Sequence, residues 1–339
     1  MKSRFKALQE LGTLLASAKD TTTAAPALNA AIEKAQQANG WFTPTAIGHA
    51  LKAWGNALRK DRLAQWQSNY NWKSPTPKTI GLVLAGNIPF VGLHDLICVW
   101  LSGHKAIIKC SSKDPFLLPA LVTLLESFAP AEKGRLHFTA APLKDFDAVI
   151  ATGSNNAARY FEHYFSGVPS IIRKNRNGVA VLTGDETEAE LEALGTDMLH
   201  YFGLGCRNVA QLFLPEGYDL NNIFGGLFPY KDVIQVQKYA NNYDYNKAVF
   251  LMSDIAFLEN GFFMLREALS WSAPIATASY TYYNDLASVT KLLAENTDKV
   301  QCVVGKKSLE NALPFGTAQQ PQLWDYADGV DTLSFLLEL

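Results

Sequence analysis

Cysteine is scarce in this sequence. There are four in 339 residues, Cys98, Cys110, Cys206 and Cys302, and no two make a C-x-x-C pair. That spacing argues against a metal centre or a disulfide scaffold and for reduced thiols in a cytoplasmic protein. A surplus of one charge is also missing. The net charge is −2, and the densest basic cluster is Arg173-Lys174-Asn175-Arg176. Nucleic-acid binders carry a basic stripe, so no nucleic-acid partner is expected. Lys2, Arg4 and Lys6 open the chain, but Glu10, Lys19 and Asp20 leave no room for the apolar region of a signal peptide. No hydrophobic run is unbroken at membrane-spanning length. Gly81 to Leu101 comes nearest, and Asn87, Pro89, His94 and Asp95 interrupt it. Such residues are costly in lipid, so the segment reads as a strand, a turn and a buried helix. There is no internal repeat, no low-complexity tract and no complete G-x-G-x-x-G.

Hydrophobic residues are present in quantity, at 48%, enough for two domains. The first 66 residues read as helices. Phe5, Leu8, Leu11 and Leu15 share one helical face, and Thr43-Pro44 is a capping hydroxyl followed by a first-turn proline. Ile47, Leu51, Trp54 and Leu58 form the stripe that follows. Pro75 and Pro77 mark a linker. Strands are then expected at Thr79–Ala85, Lys105–Lys109, Arg135–Thr139 and Asp147–Ala151, with helices at Gly92–Ser102 and Pro115–Phe128. A second series begins at Gly178–Leu182. It continues with strands at Val209–Leu214, Ala248–Met252, Ile275–Tyr282 and Val300–Val304, and helices at Glu188–Tyr201 and Asp285–Glu295. Alternation of this kind implies α/β units on parallel sheets. The boundary is placed near Asn175, giving 1–175, 176–310 and a mostly looped tail, 311–339, that returns to the core.

Four segments carry chemistry-bearing residues. Gly86-Asn87-Ile88-Pro89-Phe90 follows a buried strand, where Asn87 either satisfies the turn or aims its amide into a cleft as an oxyanion donor. Lys109, Ser111, Ser112 and Lys113 end the next strand, as a solvated strand end or as a hold on a nucleotide. Thr152-Gly153-Ser154 joins a strand to a helix, whose first N–H groups suit a pyrophosphate. In Phe202-Gly203-Leu204-Gly205-Cys206-Arg207 two glycines allow a tight turn that leaves the Cys206 sulfur open, and Arg207 would favour its thiolate. The other reading of Cys206 is a buried inert thiol, which suits Cys98 and Cys110 better. His200 stands six positions before Cys206, so a Cys–His dyad is possible, although a structural role fits it better. His94 and His104 make no metal pattern.

Taken in order, these segments resemble the aldehyde dehydrogenase superfamily over roughly residues 75–320. Asn87-Ile88-Pro89-Phe90 is similar to the family's N-[FY]-P turn, Gly103–Lys109 to its "AAGNTVVLK" strand, Thr152-Gly153-Ser154 to its "FTGS" turn, and Pro314-Phe315-Gly316 to its late "PFG". The resemblance implies a Rossmann-like cofactor domain joined to an α/β catalytic domain. It also implies Cys206 as nucleophile with Asn87 at the oxyanion, and Lys109, Gly153 and Ser154 at the dinucleotide. A homodimer is the usual assembly of such relatives.

The departures choose a branch. Oxidising members place a glutamate in an E-L-G-G segment to activate water, and that position falls on or near Arg173. No Asp or Glu lies between Glu162 and Asp185. Without that base a thioacyl intermediate should pass to a thiol carrier rather than to water. The chain is also shorter than typical oxidising members. "GNIPFVGLHDL" and "FGLGCRNVAQLFLPEGYD" resemble the LuxC-like acyl-CoA reductases of fatty-acid metabolism. The implied activity is reduction of acyl-CoA, or of an acyl carrier, to an aldehyde. The glutamate that contacts NAD in many members falls on Ser112, beside Lys113, which favours NADPH over NADH. Rival readings are aldehyde oxidation, acyl-phosphate reduction and a non-catalytic scaffold of an acyl pathway.

Overall fold

The apolar stripe of the first helix sets the pattern for the N-terminal layer. In α1 (Lys2–Ser17) the residues Phe5, Leu8, Leu11 and Leu15 are all buried, and each contributes about 1.5–3 kcal/mol. The computed structural model describes residues 1–17, 26–72 and 76–339, so the linker mark at Pro75 lies outside the described residues. Next come α2 (Pro26–Ala38), α3 (Pro44–Ala57) and α4 (Lys60–Ser68). The Thr43 hydroxyl caps α3 by accepting from the Ala46 N–H at 3.2 Å.

A strand–helix series follows: β1 (Thr79–Val83), α5 (Leu93–Ser102), β2 (Lys105–Lys109), α6 (Leu117–Phe128), β3 (Leu136–Phe138), β4 (Ala148–Thr152), α7 (Asn155–Tyr164) and β5 (Ser170–Arg173). Its sheet is wholly parallel, in the order β3-β2-β1-β4-β5. Gly81–Leu101 is, as expected, a strand, a turn and a helix, and α5 is buried along nearly its whole length. Among the described residues no helix is long and apolar enough to cross a membrane.

The second sheet is built from β6 (Asn177–Val181), α8 (Glu188–Leu199), β7 (Val209–Pro215), α9 (Asn221–Leu227), α10 (Gln237–Met252), β8 (Leu258–Glu259), β9 (Met264–Glu267), β10 (Thr277–Tyr283), α11 (Leu286–Glu295) and β11 (Val300–Gly305). Its order is β11-β6-β7-β10-β9-β8, parallel except for the short edge strand β8. One expected element is overturned. Ala248–Met252 is the last turn of α10, not a strand. Tyr239, Tyr243, Asn246 and Phe250 are its buried residues, and their spacing of four, three and four is that of a helical face. A run of five apolar residues does not distinguish the two structures.

The chain closes with α12 (Thr332–Glu338). It divides into two compact units, one comprising 1–175 with 321–339 and the other 176–320. The tail is therefore shared: 311–320 belongs to the second unit and the rest to the first. There α12 is tied down by polar contacts. His104 Nε2 meets the Leu336 carbonyl at 2.7 Å, and Tyr70 donates to Asp331 at 2.8 Å.

Candidate active site

In the first unit, three strands end side by side. Val83 pairs in register with Lys109 on one flank and with Ala151 on the other. The chain winds outward from β1 to β3, then restarts at β4 on the opposite flank. Ligands of open α/β sheets bind beyond the strand carboxyl ends at such a reversal. The turns after β1, β2 and β4 carry Asn87, then Ser112 and Lys113, then Gly153 and Ser154. The structure thus brings the first-unit candidates, with Lys109, to one edge of one sheet.

Packing explains why two of these turns hold glycine. A Cβ on Gly86 would stand 2.7 Å from Ser111 Cβ and 3.1 Å from the Asp114 amide, so the β1 and β2 turns touch only because it is missing. A Cβ on Gly153 would meet Ala157 Cβ at 2.8 Å and Phe161 Cε2 at 2.9 Å. Asp114 holds the first pair of turns together. Its buried carboxylate accepts from Leu117 at 3.1 Å and also bonds the Phe116 and Phe90 amides. Burial raises its pKa, and those three N–H groups pull the other way. Phe90 sits in the left-handed region at φ 58°, and the Asp114 bond helps hold it there. Between these braces Asn87 is half-buried, and its Oδ1 is buried without a hydrogen-bond partner among the described residues. Ser112 and Lys113 are exposed. Ser154 accepts from the Ala157 N–H at 3.2 Å as the cap of α7.

In the second unit, Cys206 lies between the end of α8 and the start of β7. Phe202, Gly203 and Gly205 take φ values of 61°, 83° and 93°, a conformation that favours glycine at the second and third of these positions. Short bonds close the bend: Phe202 N–H to Leu199 O at 2.9 Å, Leu204 N–H to Tyr201 O at 2.8 Å, and Asn208 N–H to Gly205 O at 3.3 Å. Buried Phe202 packs against Tyr239 of α10 at 6.4 Å between ring centroids. Of the four thiols only Cys206 is exposed, and none is in a disulfide. Burial raises Cys98 far above the ordinary thiol value and pushes Cys110 up to about 12. His200 stacks edge-on against Tyr201 at 4.9 Å.

Two contributors have no local signal in the sequence. Asp197, in the last turn of α8, is fully buried and accepts from the Gly316 amide at 2.7 Å and the Ala318 amide at 2.9 Å. It clasps the Pro314-Phe315-Gly316 segment to the helix that leads into the cysteine bend. Burial raises its pKa to about 7, against the two N–H donors. Gly178 of β6 is the other. Its N–H donates to Asn208 O at 2.8 Å, and a Cβ there would lie 2.8 Å from Arg207 O.

The architecture is similar over nearly its whole length to solved aldehyde dehydrogenases. An indole-3-acetaldehyde dehydrogenase complexed with NAD+ superposes with a TM-score of 0.65, covering 91% of this chain and 72% of that one at 10% identity. A delta-pyrroline-5-carboxylate dehydrogenase from Mycobacterium tuberculosis gives 0.60 over 90% and 66% at 12% identity. This is the aldehyde dehydrogenase fold. A NAD-dependent benzaldehyde dehydrogenase from Corynebacterium glutamicum shares the fold with a TM-score of 0.59, covering 88% and 76% at 12% identity.

No family model matches the chain. By sequence it is distantly homologous to a LuxC-type enzyme, the long-chain acyl-protein thioester reductase 2 of Photobacterium leiognathi. The identity is 24% over 198 residues. That is 53% of this chain and 41% of the relative, so the match spans about two fifths of the relative's length. Arg173, on or near which a count along the sequence puts the hydrolytic glutamate of oxidising members, ends β5. Its buried guanidinium is ion-paired with Asp95 of α5 and donates to the Thr332 hydroxyl at 2.8 Å.

Proposed function

We propose that this chain reduces an acyl thioester, acyl-CoA or an acylated protein, to an aldehyde with NADPH, through an acyl group carried on Cys206. One observation carries the reading: Cys206 is the single exposed thiol, on a bend of left-handed backbone in an aldehyde dehydrogenase fold. The similarity to an acyl-protein thioester reductase supports the substrate class, and the name of that relative's activity favours a protein-borne acyl donor.

The residues suit the cofactor on the first unit's own evidence. Gly86 and Gly153 let their turns pack closely against Ser111 and against Ala157 and Phe161, where a side chain would clash. The first amides of α7 offer N–H groups to an anion. At the end of β2 the exposed residues are Ser112 and Lys113, while Asp114 is buried and engaged with backbone amides. A 2′-phosphate would lie by that serine and lysine, and the ribose by Lys109. When bound, NADPH supplies the hydride that brings the acyl carbon to the aldehyde oxidation level.

The protein's part follows from its side chains. The Cys206 thiolate attacks the acyl carbonyl, and the bond to the carrier sulfur breaks as the carrier leaves with a proton. The Cys206 N–H stabilises the oxyanion, and Asn87 is assigned the second donor. Splitting the transfer into two steps lowers each barrier. After reduction the thiohemiacetal on Cys206 collapses, releasing aldehyde and the thiolate. With Arg173 in place of a water-activating carboxylate, the acyl group stays on sulfur until reduced.

The test is oxidation of NADPH with a panel of acyl-CoAs and an acylated protein. Cys206→Ala should lower the rate by about 10³-fold or more, and Asn87→Ala by about 10²-fold. A Cys206→Ala protein as fast as the unaltered one overturns the scheme.

A further inference from the structure

The second unit holds one thiol besides Cys206. Cys302 lies on β11, is partly exposed, and is the register partner of Gly178 on β6. Register partners on neighbouring strands project from the same face of a sheet. A side chain at 178 would run into the Arg207 carbonyl, 2.8 Å from where its Cβ would stand. Glycine leaves that space open, and Cys302 Sγ lies 3.9 Å from the same carbonyl oxygen. Arg207 follows Cys206 directly, and consecutive Cα atoms are about 3.8 Å apart. The Cys302 sulfur thus lies against the carbonyl of the residue that directly follows Cys206, although 95 residues separate Arg207 from Cys302.

We propose that Cys302 is a resolving thiol, which forms a reversible intramolecular disulfide with Cys206 after a peroxide oxidises Cys206. The Cys206 thiolate attacks one peroxide oxygen and the O–O bond breaks, giving a sulfenic acid and one hydroxide. The Cys302 thiolate then attacks that sulfur. The S–O bond breaks, a second hydroxide takes up a proton as water, and the S–S bond forms. Two electrons leave the thiol pair and reduce the peroxide; a dithiol returns them.

A disulfide needs Cα atoms roughly 4.4–6.8 Å apart. The segment that must adjust is the bend itself, and Gly203 and Gly205 give it backbone freedom that other residues lack. Burial holds Cys98 and Cys110 in the thiol form, so neither competes. The bond would shield Cys206 from irreversible oxidation and silence it meanwhile. That consequence for activity rests on the nucleophile reading; formation of the bond does not.

The experiment treats the reduced full chain with a small excess of hydrogen peroxide, then maps peptides by mass spectrometry without reductant. The expected product is the Cys206 peptide joined to the Cys302 peptide, about 2 Da below the sum of the reduced peptides and released by dithiothreitol. In Cys302→Ser, Cys206 should instead advance to sulfinic acid that dithiothreitol cannot restore. Sulfinic Cys206 in the unaltered chain with no 206–302 linkage overturns the proposal, as does a linkage to Cys98 or Cys110. The map of the unaltered chain decides this even if the variant fails to fold. Reductase activity is assayed on the reduced protein. Linkage without thioester reduction sinks only the functional reading, and reduction without linkage sinks only this one.

Discussion

Arg173 and Asp95 form an ion pair that is almost wholly buried, joining the end of β5 to the first turn of α5. Burial works against the guanidinium charge, and the Asp95 carboxylate more than restores it, leaving Arg173 above its ordinary pKa. Removing one member strands the other without a counter-charge. Arg173→Gln should therefore cost about 3–5 kcal/mol of unfolding free energy, read by urea denaturation. A loss under 1 kcal/mol would mean that water or another cation takes over. The same variant should not acquire thioester hydrolysis, because it gains no base.

Ser112→Glu tests the cofactor assignment. A carboxylate there would repel a 2′-phosphate and accept a bond from a free 2′-hydroxyl. NADPH should bind about tenfold or more weakly, a change of about 1.4 kcal/mol, while NADH binding holds or improves. Titration of nucleotide fluorescence reads both constants. Equal weakening of the two cofactors would dissociate Ser112 from the 2′ position.

Asp197→Asn removes one of two acceptors facing the Gly316 and Ala318 amides. The orphaned N–H should cost about 1–3 kcal/mol. Sign matters for its pH dependence. The folded-state pKa is raised from 3.8 to about 7, so the protonated acid is the form that folding favours. Its contribution is present at acid pH and is lost as pH rises through that window. The gap between the unaltered protein and Asp197→Asn should narrow between about pH 4 and pH 7. A gap that widens would show that the carboxylate is better stabilised by its amides than by protonation.

His104 has the opposite slope. It is buried between the Lys78 amide, 3.0 Å from Nδ1, and the Leu336 carbonyl, 2.7 Å from Nε2. Nδ1 accepts and Nε2–H donates, so the ring is neutral. Burial lowers its pKa below 6.5, with the Leu336 carbonyl opposing and Lys78 assisting. The unfolded chain takes up a proton that the folded chain refuses. Stability from this group is complete above pH 6.5 and falls as the solution is acidified. Calorimetry at pH 7, 6 and 5 should show that loss, and His104→Gln should abolish it.

What the sequence discloses tracks how local the cause is. Lys105–Lys109 reads as a strand because its short apolar run, Ala106 to Ile108, is bounded by lysines, and the Thr43 cap because hydroxyl and proline are adjacent. The Cys206 bend is legible for the same reason: both glycines sit within three positions of the sulfur. Ser170–Arg173 passes unseen because four residues with two isoleucines are too few to show a period. The β8 and β9 strands are hidden by an edge strand of two residues. Asp197, Gly178 and Cys302 act through partners 119, 29 and 95 positions away, and no window along the chain contains both ends.

The first unit is discontinuous, and this orders events in time. Residues 321–339 supply the Thr332 hydroxyl to Arg173, the Leu336 carbonyl to His104 and Tyr326 to Trp66. During synthesis all of 176–320 emerges before those partners do. The second unit can therefore mature while the N-terminal half waits, holding an incomplete polar core. A chain truncated after residue 320 and released should resist protease over 176–320 and yield within 1–175.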